Sequence, residues 1–309
     1  MSPERTTVAV EVDGRTLRLS NLDKILYPEE GFTKGQVLDY YTRVAPVFLP
    51  HATARPMTFK RYPEGVAAKF FFEKNAPRHT PEWVRTVRLP SPGSSKNRDT
   101  IDYVVVDDLP TLVWAANLAT LEFHVPMWTV GARGAPRGAD LLVFDLDPGP
   151  PATIVECCRV AEVVRELLAA DGLQACAKTS GSKGLQLYVP VRTVDPERTW
   201  SYARQLAQRL AAEHEELIVW KMTKAIRGGK VLVDWSQNSA AKTTVAAYSL
   251  RARPRPTVST PVTWDEVAAC RRPQDLVFTS DDVLARIDEH GDLFAPLRER
   301  SSAKSLPRS

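Results

Sequence analysis

Apolar and polar residues alternate from Thr7 to Glu11 and again from Arg15 to Leu19, on either side of Asp13-Gly14. Two alternating segments joined by Asp-Gly predict a β-hairpin. The pattern changes at Thr33, which is followed three residues later by Gln36, a capping box that predicts a helix over 33–44. Thr153 and Glu156 repeat that signature, and the helix they open carries an apolar stripe of Ile154, Val155, Val160, Val164, Leu167 and Leu168 before Gly172 stops it. Just before it, the apolar run Leu141, Leu142, Val143 and Phe144 predicts a buried strand. Further apolar runs predict strands at 174–178, 185–191, 217–220 and 231–234, with a helix over 198–213. Strands dominate the centre and helices interrupt them irregularly. The expected class is therefore α+β, a central, mostly antiparallel sheet flanked by helices, rather than a parallel doubly wound sheet. No internal repeat is visible. One catalytic-size domain over 1–300 is expected, with polar loops at 91–100 and 131–138 and a disordered polar tail at 301–309.

Composition narrows this only a little. The chain has 309 residues, 43% hydrophobic and 25% charged, the profile of a globular protein. No apolar stretch approaches the roughly 20 residues that span a bilayer, and the N-terminus lacks a signal-peptide pattern. A cytoplasmic location without membrane association is the expectation. Cys157, Cys158, Cys176 and Cys270 show no metal-ligand spacing and read as free, buried thiols. A net charge of +4 allows a polyanionic partner without demanding one.

Candidate chemistry begins where the strand at 141–144 runs into Asp145 and Asp147 and then Pro148-Gly149-Pro150. Residues two apart on a strand point the same way, so the two carboxylates leave one face with Cα atoms roughly 6.6 Å apart. Paired aspartates at a strand end can clamp divalent metals for phosphoryl transfer, although acidic residues before a Pro-Gly turn are also ordinary surface features. Asp234, at the end of 231–234, would complete a three-carboxylate site if its strand neighbours the first; by itself an Asp at a strand end is more often a turn residue. Between two predicted strands, Lys178-Thr-Ser-Gly-Ser-Lys-Gly184 offers small residues, the Ser180 hydroxyl and the Lys183 ammonium, which suit an anion such as phosphate. The spacing is not that of a P-loop, and a plain hairpin turn remains open.

Together with other segments these motifs resemble the archaeo-eukaryotic primase superfamily, specifically the polymerase domain of bacterial DNA ligase D and its stand-alone relatives. The resemblance runs from about Ser20 to Leu297. It rests on Asn21-Leu-Asp-Lys24, Arg55-Pro-Met-Thr-Phe-Lys-Arg-Tyr-Pro63, Phe71-Phe72, Glu122-Phe-His124, Phe144-Asp-Leu-Asp-Pro-Gly149, Thr179-Ser-Gly-Ser-Lys-Gly184, Val233-Asp-Trp-Ser-Gln-Asn238 and Tyr248-Ser-Leu-Arg251. It implies a DNA-repair primase-polymerase fold that adds nucleotides to a templated primer, preferably ribonucleotides, with two divalent ions, Mn²⁺ or Mg²⁺.

By the same resemblance, Asp145, Asp147 and Asp234 would hold the metals, and Lys60, Ser180, Lys183 and Arg251 would grip the nucleotide phosphates, with His124 beside the nucleotide. Asn21, Lys24 and Lys34 would form a pocket for a DNA 5′-phosphate, and Phe71 and Phe72 would stack on bases. Read without the family, Lys24 and Lys34 are solvated lysines, residues 70–72 a core strand and His124 a structural histidine. Many relatives carry His where Gln186 stands, and glutamine can never supply a positive charge, which places the strength of the triphosphate grip in question. The implied partners are gapped or broken DNA with a 5′-phosphate, NTP or dNTP, and in an end-joining setting Ku and a DNA ligase, in the bacterial cytoplasm at the nucleoid. Two other classes remain as alternatives: a non-catalytic DNA-end-binding module, and a haloacid dehalogenase-type phosphatase, whose motif Phe144-Asp-Leu-Asp147 evokes but whose Gly-Thr after the second Asp is replaced here by Pro148-Gly149.

Overall fold

The structure, a computed structural model, describes residues 6–90 and 99–307. Most of the polar loop expected at 91–100 thus lies outside the described residues, and Thr100 already begins a strand. The N-terminal hairpin forms as its Asp-Gly link predicts, pairing β1 (Thr7–Val12) with β2 (Arg15–Ser20). A second, short hairpin of β3 (Ile25–Tyr27) and β4 (Phe32–Thr33) leads into α1 (Lys34–Ala52). Thr33 and Gln36 form the expected capping box. The helix runs a further two turns past Val44, through Pro46 and Pro50. A proline inside a helix removes a backbone hydrogen bond, at a cost of ~3 kcal/mol or more. The continued turns bury Val47, Phe48 and Ala52 in the core, which offsets that cost.

Next come β5 (Thr58–Arg61), β6 (Phe71–Glu73), β7 (Thr86–Pro90), β8 (Thr100–Val104), α2 (Leu109–Asn117) and β9 (Thr120–Val125). After β10 (Trp128–Val130) the chain enters its longest strand, β11 (Pro136–Pro148), so 136–138 of the expected loop at 131–138 is strand instead. The helix predicted after the aspartates is α3 (Ile154–Ala170), with the Thr153–Glu156 capping box in place and the backbone released at Gly172, whose φ is +71°. Then follow β12 (Cys176–Thr179), β13 (Leu185–Val194), α4 (Pro196–Glu213), β14 (Ile218–Val219) and β15 (Val231–Asp234). The last elements are β16 (Thr244–Val245), β17 (Pro261–Val262), α5 (Trp264–Ala269) and α6 (Ser280–His290).

Two sheets organise the described residues. The larger runs β14-β15-β11-β13-β12-β17 with β10 beside β11, and all pairs are antiparallel except β14 with β15. The smaller runs β16-β9-β5-β6. This is the expected α+β, mostly antiparallel arrangement. Side chains alternate across β11: Leu142, Phe144 and Leu146 join the core under α3 and α4, while Leu141 and Val143 join the core shared with α1 and the smaller sheet. Asp145 and Asp147 continue that second row, where the apolar filling between the sheets gives way to a cleft. Cys157, Cys158 and Cys270 are buried free thiols and Cys176 is half-buried. The segment expected to be a disordered tail is placed, through Pro307, beside β13: Lys304 pairs with Val191 and its carbonyl accepts from Arg192 N at 2.9 Å. No helix among the described residues is long and apolar enough to cross a membrane.

Candidate active site

Register fixes the centre of the cleft. In the larger sheet Asp234 lies opposite Asp145, Asp145 opposite Gln186, and Gln186 opposite Lys178. Directly opposed residues of antiparallel strands share a face. Asp234, Asp145, Gln186 and Lys178 therefore stand in one rank across four strands, with Asp147 one step along β11 on the same side. The third carboxylate joins the first two, as the strand-neighbour condition required.

The three carboxylates differ in environment. Burial, reinforced by the charge of Asp147 and to a smaller degree that of Asp234, pushes Asp145 up to about 7 against the pull of a Gln186 hydrogen bond. Asp147 is raised by burial and by Asp234, although its side chain reaches solvent. Asp234 is turned aside: Oδ1 accepts from Ser236 N at 2.8 Å and Ser236 Oγ at 2.5 Å, and Oδ2 from Gln237 Nε2 at 2.9 Å. Among the described residues no three His, Cys, Asp or Glu side chains already converge as a closed metal cage. The chemistry of the donors nevertheless fits a hard divalent cation, because three carboxylates share one face, and two of them, Asp145 and Asp147, are held up by burial and by neighbouring carboxylate charge that a cation would compensate.

Within this rank Gln186 accepts from Lys178 Nζ at 2.5 Å, and Lys178, fully buried, also donates to Ser259 Oγ at 2.5 Å. Burial and the nearby Arg251 push Lys178 well below the ordinary lysine range, opposed by Asp145. The glutamine is thus not an isolated replacement for an imidazole. It links a lysine to a carboxylate.

The loop 180–184 departs from an open anion nest. Ser182 N and Gly184 N donate inward to Ser180 Oγ, at 3.2 and 3.0 Å. Gly181 has φ +66°, and a Cβ there would sit 2.6 Å from both Arg251 Cγ and Val258 O, so only glycine lets the loop lie against Arg251. Arg251 Nη1 donates to Ser180 O, and Lys183 projects from the loop exposed at the cleft. The cleft, of about 240 Å³, is lined by Asp145, Asp147, Lys183, Gln186, His124 and Arg251. A larger cavity of about 410 Å³ lies on the other side of the same loop, against Pro150, Ile154, Leu276 and Phe278. Its walls are mostly apolar and none of the three aspartates lines it, so the polar cleft is the candidate chemical site.

The smaller sheet supplies the opposite wall. Phe72 lies opposite Lys60 and Lys60 opposite Glu122. Lys60 Nζ lies 3.3 Å from Glu122 Oε1 and 4.4 Å from the Phe70 ring centroid. His124 Nε2 lies 3.0 Å from Glu122 Oε2, and Phe72 meets the His124 ring edge-on at 6.0 Å. Burial lowers the His124 pKa, aided by Arg251 and Lys60 and opposed by Glu122. Phe71 leaves the other face of β6 and lies over the Arg61 guanidinium at 5.1 Å, so Phe71 and Phe72 do not form one stacking platform. Phe70, Phe71 and Phe72 are 48, 42 and 54% exposed, which corrects the reading of 70–72 as a core strand. Sequence reading assigned Glu122 no role, although Glu122-Phe-His124 carried a signal: two polar residues two apart on an otherwise buried strand.

Away from the cleft, the β2 end and the β3–β4 hairpin gather Asn21, Lys24 and Lys34. Asn21 is left-handed, with φ 54°, and its carbonyl accepts from Lys24 N at 3.1 Å; Lys34 N donates to Lys24 O at 2.8 Å. Lys34 is not a solvated lysine. It is 5% exposed, donates to Ser20 O at 2.6 Å, and is pushed down to about 8 by burial, Lys24 and Arg61. Lys24 is half-buried and pairs with Glu64 at 2.7 Å.

Comparison with known proteins agrees with this geometry. The family profile "LigD, primase-polymerase domain" matches residues 33–294. The "Multifunctional non-homologous end joining protein LigD" of Mycolicibacterium smegmatis is 45% identical over 283 residues, covering 91% of this chain and 36% of that protein. The "Bifunctional non-homologous end joining protein LigD" of Bacillus subtilis is 32% identical over 277 residues, covering 89% of the chain and 43% of the relative. Among solved structures, the polymerase domain from Mycobacterium tuberculosis ligase D in complex with DNA superposes with a TM-score of 0.85 at 43% identity, covering 91% of this chain and 97% of that one. The chain thus spans 36% of the length of the first of these relatives. The resemblance inferred from the motifs and the α+β fold are both borne out, and the phosphatase alternative falls with them.

Proposed function

This chain belongs to the LigD primase-polymerase domain family, a family of nucleotidyltransferases, and from that premise we propose that it adds nucleotides, by preference ribonucleotides, to templated primer 3′ ends at DNA gaps or breaks carrying a 5′-phosphate. The observation that carries this reading is that Asp145 and Asp147 line one cleft with Lys183 and Arg251, while Asp234 stands opposite Asp145 on the next strand. Asp145, Asp147 and Asp234 would hold two divalent ions, Mg²⁺ or Mn²⁺, which when bound supply neutralisation of the triphosphate and activation of the primer hydroxyl.

The protein's own groups divide the remaining work. Lys60, Lys183 and Arg251 orient the phosphates with fixed positive charge, and Ser180 shapes the loop that carries Lys183. His124, held through Nε2 by Glu122, lies beside the incoming nucleotide. Gln186 keeps Asp145 and Lys178 in register. Phe72 on the cleft face meets bases, whereas Phe71 on the opposite face meets a different part of the duplex. Asn21, Lys24 and Lys34 receive the 5′-phosphate across the gap. The relatives are named for non-homologous end joining, and we extend that setting to this chain, with Ku and a DNA ligase as partners on chromosomal DNA.

A DNA-end-binding module without catalysis would gain nothing from three clustered carboxylates, which repel a polyanion. Primer extension on gapped DNA tests the proposal. Extension that requires Mn²⁺ or Mg²⁺ and favours ribonucleotides is expected; no extension with either ion would leave only the binding module, and a deoxynucleotide preference would remove the sugar claim.

A further inference from the structure

Resting on the reading of the cleft as a nucleotide site, we propose that Glu122 is a positioning residue that holds Lys60, His124 and Arg251 together as one phosphate grip. Its carboxylate is buried in the middle of the smaller sheet, 1% exposed. Oε1 faces Lys60 Nζ at 3.3 Å and accepts from Ala252 N at 3.1 Å. Oε2 meets His124 Nε2 at 3.0 Å and Arg251 Nε at 3.5 Å. Two of the three side chains it gathers come from paired strands, Lys60 on β5 and His124 on β9, and the third, Arg251, comes from the segment after β16, outside that ladder.

A negative charge inside a site for a polyphosphate weakens the site's attraction for its ligand, so its presence needs another benefit. Lysine and arginine lose several rotamers when they are ordered. Ordering them during folding removes that cost from nucleotide binding. Glu122 does this from a backbone anchor, because the Ala252 amide ties it to the residue following Arg251. Arg251 is then held from two sides, its Nε by Glu122 and its Nη1 by Ser180 O. Lys60 is likewise confined, between the carboxylate and the rings of Phe70, Tyr62 and Phe72. Burial pushes the Glu122 carboxyl up, but His124, Arg251 and Lys60 together hold it well below the usual carboxylate range, so it stays ionised.

Charge and position predict opposite signs for one substitution. If Glu122 acted only through its charge, Glu122→Gln would tighten triphosphate binding; if it positions the grip, the same change loosens it. The test is calorimetric binding of an α,β-methylene ribonucleoside triphosphate with Mn²⁺ to the full chain. Glu122→Gln is expected to bind about tenfold more weakly, the loss typical of a charge-assisted contact. Its preference for 5′-phosphorylated over 5′-hydroxyl DNA should be unchanged, since Lys24 and Lys34 lie elsewhere, a pattern that general destabilisation would not give. Equal or tighter binding overturns the proposal. Glu122→Asp retains the charge but withdraws it by one methylene, and is also expected to bind weakly; wild-type affinity in that variant would overturn the positioning role. Primer extension by the wild type is scored separately, so failure of the polymerase reading and failure of the Glu122 role give different results.

Discussion

Asp145 stands in a ladder that fixes both its neighbours, Asp234 on β15 and Gln186 on β13, whereas Lys24 and Lys34 are brought together by short strands, a left-handed Asn21 and two backbone bonds. The first region is made by long-range register, and every side chain in it answers to strands far apart in sequence. The second is local, spanning fourteen residues, and its order depends on side-chain hydrogen bonds such as that from Lys34 Nζ to Ser20 O. The contrast matches the work proposed for each. Chemistry needs reacting groups held to fractions of an ångström, and capture of a phosphate needs positive charge and reach.

The largest effect separates the regions outright. Asp145→Ala or Asp234→Ala should reduce nucleotide addition at least about 1000-fold, equivalent to ~4 kcal/mol of transition-state stabilisation, while gapped-DNA affinity stays nearly constant. Single-turnover extension alongside DNA binding checks this; near wild-type extension by Asp145→Ala would remove the carboxylates from the chemistry.

The reciprocal experiment acts on the pocket. Lys24→Ala and Lys34→Ala should each take ~1.5–3 kcal/mol from the preference for a 5′-phosphate over a 5′-hydroxyl, with extension on saturating DNA preserved. That preference should also shrink with added salt. Equal affinity of the wild type for both DNAs at low salt would dissolve the distinction between the two regions.

The pocket further carries a pH signature. Lys34, at about 8, is charged below that value and neutral above it, so the 5′-phosphate preference should fall as pH rises from 7 to 9. The bound phosphate favours the charged form and moves the midpoint upward. A preference constant across this range would mean that Lys34 does not contact the phosphate.

The smallest effect concerns Gln186. With only the sequence, Gln186→His is expected to strengthen the triphosphate grip by restoring a positive charge. In the structure the glutamine already has a buried partner, because its Oε1 accepts from Lys178 Nζ. An imidazolium cannot accept that bond. Gln186→His should therefore leave the nucleotide KM near the wild-type value above pH ~7 and raise it several-fold below pH ~6, where histidine is charged. A lower KM at acid pH would restore the simpler charge argument.

What was legible in the sequence follows from local chemistry. The Asp13-Gly14 hairpin, both capping boxes, the strand at 231–234 and the pairing of Asp145 with Asp147 on one face depend on φ preferences and side-chain periods that act within a few residues. Motif order added the family, and hence Asp234, Arg251 and Lys34 as candidates. Tertiary structure decided the rest. That α1 continues through Pro46, that Phe71 and Phe72 face opposite ways, that Lys34 and Lys178 are buried, and that Glu122 gathers three cationic or imidazole groups all depend on which strands become neighbours and what they desolvate. Register between segments a hundred residues apart is set by the summed burial of two cores and the exclusion of unpaired polar groups. No local window of the chain contains that sum.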